Sequence, residues 1–293
     1  MDQSLAKRCY ELLLGSRADA VLKRVALWLA LVGFGLHLLA WLLNHWNVLD
    51  PPPGFEPLLA SPLLALYTPF SILLVYEVYQ LIQAIPRSFS SAMAKQFEVI
   101  ALIVVRSSLE FLAVTDTTGP AMDGSRLLLL AAKCIAFLAL LGVIVGFTRI
   151  EDRYRVTKEI TSQVASYIRT KYFISTLLSL IFAATVGITF VSWLIGVFSG
   201  DPIRLHSGIF FSDFFTFLIV ADITILLISY RFTSDFGGLA RNTGFVLSTV
   251  LMRIAIDSSG ITAPLLFILS GLVGLGVLWI TNQFPRRGVA PSV

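Results

Sequence analysis

The sequence has little charge for its length. Only 14% of its 293 residues are Asp, Glu, Lys or Arg, whereas 56% are apolar. A soluble domain carries about 25% charged residues and less than half apolar ones, so this composition excludes a soluble protein. The charged residues are grouped between long apolar runs, which is the pattern of a multi-pass membrane protein.

Side chains suited to catalysis or metal binding are also scarce. The chain has 2 Cys and 3 His. Cys9 and Cys134 lie in a basic segment and in an apolar run, so their setting favours neither a disulfide nor a metal site. There is no Ser/His/Asp or Cys/His set at compatible depths, no HExxH motif and no paired-carboxylate motif. We therefore expect no enzyme activity, no catalytic residue, no metal and no cofactor.

The net charge of +4 does not indicate nucleic-acid binding. The chain lacks a glycine-rich phosphate loop, a helix–turn–helix pattern and an aromatic-basic platform. Lys and Arg collect in the cytoplasmic loops of membrane proteins, which accounts for the excess. The expected partners are membrane lipids, and nucleic acid is excluded.

The distribution of Lys and Arg predicts the topology. Eight apolar runs are long enough to be drawn as spans: 25–43, 62–85, 96–114, 127–148, 173–198, 209–230, 243–256 and 264–281. Alternate segments between them hold 17 Lys and Arg residues against 2 in the others. Since basic loops stay in the cytoplasm, we predict an all-α protein with eight transmembrane helices and both termini cytoplasmic.

The chain divides accordingly into five segments. They are a cytoplasmic amphipathic segment 1–24, a four-helix unit 25–148, a basic connector helix 149–172, a second four-helix unit 173–282 and a short basic tail 283–293. The two four-helix units align with each other when Glu77 is placed on Asp222 in the strings TPFSILLVYEVYQLI and DFFTFLIVADITILLI. In the next helix of each unit, Arg106 follows Glu77 by 29 residues and Arg253 follows Asp222 by 31.

The fourth helix of each unit carries a pair of small residues four apart. These pairs are Gly142/Gly146 and Ser270/Gly274. Small residues at this spacing allow helix backbones to approach closely in lipid. Together with the aligned charges they predict a duplicated four-helix unit, and because four is even the two repeats are parallel.

An acidic residue in an apolar helix, a short basic turn and a helix with one Arg about 30 residues later resemble the phosphate-starvation-inducible PsiE membrane family. The nearest stretch runs from Ala240-Arg241 to Arg253-Ile254-Ala255-Ile256-Asp257, with Lys95 and Arg106 in the corresponding places of the first half. The similarity covers about 40 residues in each half. It implies a bacterial inner-membrane protein and carries over no activity, and a tandem copy departs from the single four-helix unit of that family.

Four charged residues are predicted to lie near the membrane midplane: Glu77, Arg106, Asp222 and Arg253. At 1.5 Å per residue each lies about 12–16 Å from the cytoplasmic end of its predicted helix. Neighbouring antiparallel helices would then pair Glu77 with Arg106 and Asp222 with Arg253. Such residues are functional candidates, but a buried ion pair can also serve only to fix helix packing.

Four further polar residues are secondary candidates. Glu110 lies four residues after Arg106 and is an alternative local partner, and Asp257 stands in the same relation to Arg253. Asp213 is predicted near the outer end of its helix, and Thr216 aligns with Ser71 in the repeat. Lys133 lies about 9 Å from the outer edge, where a lysine can snorkel.

The sequence leaves two functions open. The first is an ion channel or ion-coupled transporter, with an inorganic ion as its substrate and the midplane charges along its path. The second is a non-conducting scaffold or anchoring subunit, either as a homo-oligomer or within a larger membrane complex. In that case the same charges are structural ion pairs.

Overall fold

The computed structural model describes residues 3–48, 56–86, 89–118, 123–153, 162–199, 207–230 and 236–284. In these ranges the chain is all-α and has no β-strand. The α-helices are α1 (Gln3–Leu14), α2 (Ser16–His45), α3 (Tyr67–Ala84), α4 (Phe89–Thr118), α5 (Gly124–Arg153), α6 (Ser162–Ser199), α7 (Ser207–Tyr230), α8 (Phe236–Asp257) and α9 (Thr262–Thr281). Two short 3-10 helices, Glu56–Leu59 and Pro62–Leu66, precede α3.

The eight predicted apolar runs fall in α2 to α9, in chain order. Within the described residues, six helical stretches are long and apolar enough to cross a membrane: Lys7–His45, Pro62–Ala84, Gly124–Ile150, Arg169–Ser192, Phe236–Asp257 and Thr262–Thr281. Helix α7 contributes a shorter apolar stretch, Thr216–Ile228. The chain is therefore a multi-pass membrane protein, as its composition predicts.

Helix α4 is the polar exception. It extends over Phe89–Thr118, seven residues further at its start than the predicted run 96–114. It carries Lys95 and Glu98 in its second and third turns and Arg106 near its middle, and it is not among the six apolar stretches. It packs against α3, α5, α8 and α9. A helix enclosed in this way meets other helices rather than lipid, and charged residues in membranes face such interiors.

An aromatic cluster forms the centre of the bundle. Phe97 of α4, Phe147 of α5 and Phe245 of α8 are all fully buried. The ring centroids of Phe97 and Phe147 are 5.5 Å apart and those of Phe147 and Phe245 are 5.6 Å apart, both tilted. Tilted rings at this distance are a favourable arrangement of aromatic quadrupoles. The cluster joins helices from both predicted four-helix units.

Helices α8 and α9 pack closely through small residues. The Ser248 hydroxyl donates to the Ser270 carbonyl at 2.9 Å, and the Ser270 hydroxyl donates to the Ser248 carbonyl at 2.9 Å. One turn before Ser248, a Cβ atom on Gly244 would lie 2.6 Å from both methyl groups of Val277. Close backbone approach and interhelical hydrogen bonds are the main forces between helices in lipid.

Helices α5 and α9 run parallel to each other. A Cβ on Gly271 would lie 2.8 Å from Val143, and a Cβ on Gly146 would lie 2.7 Å from Leu275. Residue numbers therefore rise together along the interface. Of the predicted pair Gly142/Gly146, only Gly146 lies in close contact with α9, because a Cβ on Gly142 would meet nothing within 4 Å.

Helices α1 and α2 meet at a sharp joint. A Cβ on Gly15 would lie 2.1 Å from a carbonyl oxygen of the preceding turn, so the joint requires glycine. Helix ends leave backbone carbonyls without intrahelical partners. Here α3 supplies the partners: the Tyr79 hydroxyl donates to the Leu13 carbonyl at 3.0 Å and the Gln83 amide donates to the Leu14 carbonyl at 2.8 Å.

The segments predicted to lie outside the membrane are helical where they are described. The predicted N-terminal segment 1–24 contains α1 and the first turns of α2, and α1 packs against α6. The predicted connector 149–172 is shared between the end of α5 and the start of α6, and residues 154–161 lie outside the described residues. Most of the predicted tail 283–293 also lies outside them.

The start of α5 is set by a capping aspartate. The Arg126 amide donates to the Asp123 carboxylate at 2.8 Å, and the Ser125 hydroxyl donates to it at 2.8 Å. The backbone hydrogen bond from Arg126, and after it the hydrogen bond from the Ser125 hydroxyl, lowers the pKa of Asp123. This geometry satisfies one of the free amides of the first turn.

We expect Gly244→Ala to destabilise the fold. The added methyl group would meet Val277, a β-branched residue with little freedom to move aside, and overpacking of this kind costs about 1–3 kcal/mol. Gly276→Ala is the matched control, because a Cβ there meets nothing within 4 Å. Thermal unfolding in detergent measures both variants. Equal melting temperatures would contradict the close packing of α8 on α9.

Candidate functional site

Asp222 of α7 is the most deeply buried charged residue of the predicted set. Its residue surface is 2% exposed. The Gln96 amide of α4 donates to its Oδ2 atom at 3.2 Å, and the Thr249 hydroxyl of α8 lies 3.4 Å from the same atom. Gln96 and Thr249 are themselves buried. Three helices therefore enclose one carboxylate.

The Thr249 hydroxyl has one proton and several acceptors. Its oxygen lies 2.8 Å from Gln96 Oε1, 3.1 Å from the Phe245 carbonyl and 3.4 Å from Asp222 Oδ2. A hydroxyl donates only one hydrogen bond at a time. The hydrogen-bond network around Asp222 therefore has more than one arrangement of the same atoms.

Two cations on neighbouring helices add to the electrostatics of this site. Lys171 of α6 is buried and is attracted electrostatically by Asp222. Arg241 of α8 repels the Lys171 ammonium. Lys171 attracts the Asp222 carboxylate through space, while the hydrogen bonds to this carboxylate come from the neutral side chains Gln96 and Thr249.

Glu77 belongs to a second cluster, centred on Lys95. The Lys95 ammonium lies 3.3 Å from Glu77 Oε2, donates to Gln80 Oε1 at 2.8 Å and forms an ion pair with Glu98. The three charged side chains are between 23% and 32% exposed. A lysine ammonium has three donors, and these contacts use all of them.

A hydrogen-bonded chain continues from Lys95 to α2. The Gln80 amide donates to the Tyr76 hydroxyl at 2.7 Å, and the Tyr76 hydroxyl donates to Asp19 Oδ1 at 3.0 Å. Asp19 lies in the first turn of α2. The cluster thereby connects α2, α3 and α4 at the end of the bundle that the Lys and Arg pattern predicts to be cytoplasmic.

Consecutive residues of α4 link the two acidic residues of the predicted repeats. Lys95 contacts Glu77, and the next residue, Gln96, contacts Asp222. Neighbouring residues on a helix point about 100° apart, since one turn takes 3.6 residues. Helix α4 therefore presents one polar side chain to α3 and the next to α7 and α8.

The predicted ion pair between Glu77 and Arg106 is not formed among the described residues. The Arg106 guanidinium lies over the Tyr67 ring, 3.8 Å from its centroid. Tyr67 begins α3, and Glu77 lies about 15 Å further along that helix. Because α4 begins at Phe89 rather than at residue 96, Arg106 lies about 26 Å from its start and not near the depth of Glu77.

The predicted pair between Asp222 and Arg253 is also replaced in the described structure. Arg253 forms an ion pair with Asp257, four residues later, and donates to the Thr216 hydroxyl at 2.7 Å. Thr249, which approaches Asp222, lies one turn before Arg253. The predicted Arg-x-x-x-acid pairing thus occurs at this position, whereas the cross-helix pairing does not.

The secondary candidates lie apart from the Asp222 site. Lys133 donates to the Ser107 carbonyl at 2.9 Å and lies 5.2 Å from the Phe111 ring centroid. Glu110 is exposed on α4, and Thr216 serves as the acceptor for Arg253. Asp213 falls within α7, but its side chain is outside the described part of the structure.

The sequence analysis does not identify the partners of Glu77 and Asp222. It places Lys95 and Lys171 in cytoplasmic segments and gives Gln96 and Thr249 no role. The spacing of Lys95 and Glu98, three residues apart at the start of an apolar run, indicates a polar helical face and could have extended α4. Nothing in the sequence marks Thr249 as a partner of Gln96.

Comparison with known proteins adds no identification, because no family model, no curated protein and no solved structure matches the chain. In the described residues, no group of three or more His, Cys, Asp and Glu side chains is arranged to hold a metal ion. The resemblance to the PsiE family stays a prediction.

We expect Lys95→Met to destabilise the protein by about 1–3 kcal/mol, because it leaves Glu77 and Glu98 side by side without their cation. This is less than the loss for a fully buried pair, since water reaches the cluster. Lys7→Met is the control, because Lys7 and Glu11 form an exposed pair at 3.7 Å. Thermal unfolding in detergent compares the two.

The double variant Lys95→Met/Glu77→Gln should recover part of the lost stability, since it removes the repulsion between the two carboxylates. If Lys95→Met unfolds at the same temperature as Lys7→Met, the Lys95 cluster contributes nothing to the fold.

Proposed function

We propose that this chain is a membrane ion channel or ion-coupled transporter in which Asp222 is the ion-responsive group. The observation that carries the proposal is the surroundings of Asp222. Its carboxylate is buried among α4, α7 and α8 and accepts hydrogen bonds from neutral side chains. Ionisable residues inside membranes are expensive to bury and commonly mark ion pathways and proton relays.

Asp222 differs from Glu77 in its surroundings, and this difference favours Asp222 as the ion-responsive group. A carboxylate that serves only packing is best compensated by direct ion pairing, as Lys95 compensates Glu77. Asp222 is attracted electrostatically by Lys171, but it forms no ion pair among the described residues. Uptake of a proton or a small cation at Asp222 would change the local charge, and the Thr249 hydroxyl can reorient in response. These features suit a group that changes its state during transport.

Of the four charged residues predicted to lie near the midplane, we assign only Asp222 to the ion pathway itself. Arg106 lies over Tyr67, Arg253 pairs with Asp257, and Glu77 pairs with Lys95. Each of these three charges has a local partner that fixes its position. We therefore assign them supporting roles around the pathway and leave Asp222 as its reactive group.

The orientation is part of the same proposal. We assign eight crossings to α2–α9, with both termini in the cytoplasm of a bacterial inner membrane and two parallel four-helix repeats. The segregation of Lys and Arg supports the orientation. The parallel course of α5 and α9, each the fourth helix of its unit, supports the duplication.

A non-conducting scaffold or anchoring subunit is the second candidate. The Lys95 cluster favours it, because an ammonium bonded to Glu77, Gln80 and Glu98 holds α3 and α4 in one register. Buried ionic groups can specify how helices pair without any role in transport. In this case the protein acts through a homo-oligomer or a larger membrane complex.

The two native cysteines test the orientation. Cys9 is exposed on α1, at the predicted cytoplasmic end, whereas Cys134 lies about 15 Å into α5. A membrane-impermeant maleimide should label the protein in inside-out vesicles and not in right-side-out vesicles. Cys9→Ser should abolish labelling, since lipid would keep the water-soluble reagent away from Cys134. Labelling of Cys9 in right-side-out vesicles would reverse the orientation.

The transport proposal is tested with Asp222→Asn in liposomes. Purified wild-type protein should conduct or exchange at least one of H⁺, Na⁺, K⁺ and Cl⁻ above the level of empty liposomes. Asp222→Asn should change this flux by about tenfold to a hundredfold, the effect of about 1.5–3 kcal/mol in hydrogen bonding to a charged group. Fluorescent ion indicators measure the flux.

Ser248→Ala is the matched control for this experiment. Ser248 is fully buried on α8 next to Thr249, but its hydroxyl bonds to Ser270 rather than to Asp222. Its flux should equal that of the wild type. Absence of flux for every ion, with protein shown to be folded, would reject transport and favour the scaffold. An unchanged flux in Asp222→Asn would remove Asp222 from the pathway.

A further inference from the structure

A groove runs along the outer surface of the bundle between α5 and α9. Its volume is about 870 Å³, and it is lined by Gly146, Arg149, Ile150, Leu272, Leu275, Gly276 and Trp279. Six of these residues are apolar and one is a cation. The position of the cation decides what the groove can hold.

Arg149 lies at one end of the groove, together with Trp279. Arg149 is the residue before the last of the apolar stretch Gly124–Ile150, and Trp279 lies two residues before the end of Thr262–Thr281. Because α5 and α9 run parallel, both residues lie at the same end of the bundle. Arginine and tryptophan at the ends of spanning helices lie at the level of the lipid headgroups.

The rest of the groove lies deeper in the membrane and is apolar. A Cβ on Gly276 would meet nothing within 4 Å, so the space above this residue is open. Leu272 and Trp279 flank it and are 61% and 59% exposed. The stretch from Leu272 to Trp279 is about 10 Å long. A groove of this length and lining accommodates part of a hydrocarbon chain that enters beside Arg149.

We propose that this groove binds one anionic phospholipid, with its phosphate on Arg149 and part of one acyl chain over Gly276. The charge of the groove selects the ligand, since the one cation among its described lining residues lies at headgroup depth and the others are apolar. Basic sites between transmembrane helices on the cytoplasmic side bind anionic headgroups. The Lys and Arg pattern predicts that this end faces the cytoplasm. The proposal is independent of the transport function.

Native mass spectrometry of the full-length protein in detergent tests the proposal. The probes are phosphatidylglycerol and phosphatidylcholine with identical acyl chains. The wild type should retain one phosphatidylglycerol in preference to phosphatidylcholine. Arg149→Gln should reduce this preference by about fivefold, the value expected for one basic residue near a charged lipid surface. Gly276→Leu should weaken retention of both lipids, because its side chain fills the groove.

Two control variants separate this site from general effects. Arg24→Gln removes an exposed cation of α2 outside the groove, and Gly142→Leu places the same side chain on α5 where nothing lies within 4 Å. Both should bind lipid like the wild type. Equal retention of the two lipids by the wild type, or equal effects of Arg149→Gln and Arg24→Gln, would overturn the proposal. A wild-type dimer that Gly276→Leu dissociates would assign the groove to a second copy of the chain.

Discussion

The polar groups that α4 carries into the bundle are stabilised by partners on other helices, because lipid offers none. Two consecutive polar residues and the aromatic residue that follows them make contacts in three directions. Lys95 bonds to α3, Gln96 bonds to Asp222 of α7, and Phe97 packs on Phe147 of α5. One turn of one helix therefore sets the positions of three others.

Some of the contacts that hold these helices together also form the candidate site. Asp222 comes from the second predicted four-helix unit, while its amide donor Gln96 comes from the first. The aromatic cluster of Phe97, Phe147 and Phe245 crosses the same boundary. If the chain arose by duplication, its two halves have since acquired different partners for their equivalent acids, a lysine for Glu77 and a neutral pair for Asp222. The site belongs to the assembled bundle and to neither half alone.

The helices could be predicted from the sequence because an apolar run in lipid has few alternatives to a helix. The local pair of Arg253 with Asp257 could also be predicted, since residues four apart share a helix face. The ionic partners of residues on different helices, such as Glu77 and Asp222, could not be predicted from the sequence. They depend on where each helix begins, and the seven extra residues at the start of α4 move Arg106 by about 10 Å relative to α3. Hydropathy does not reveal this extension, because its first turns are partly polar and enclosed by other helices.

The joint between α1 and α2 has a consequence for how the protein is made. The carbonyls of Leu13 and Leu14 are bonded by Tyr79 and Gln83 of α3, and the Tyr10 ring lies 4.6 Å from that of Tyr172 in α6. Helix α1 therefore has contacts with residues that are synthesised much later than its own. These contacts become available only after α3 and the first residues of α6 have been made.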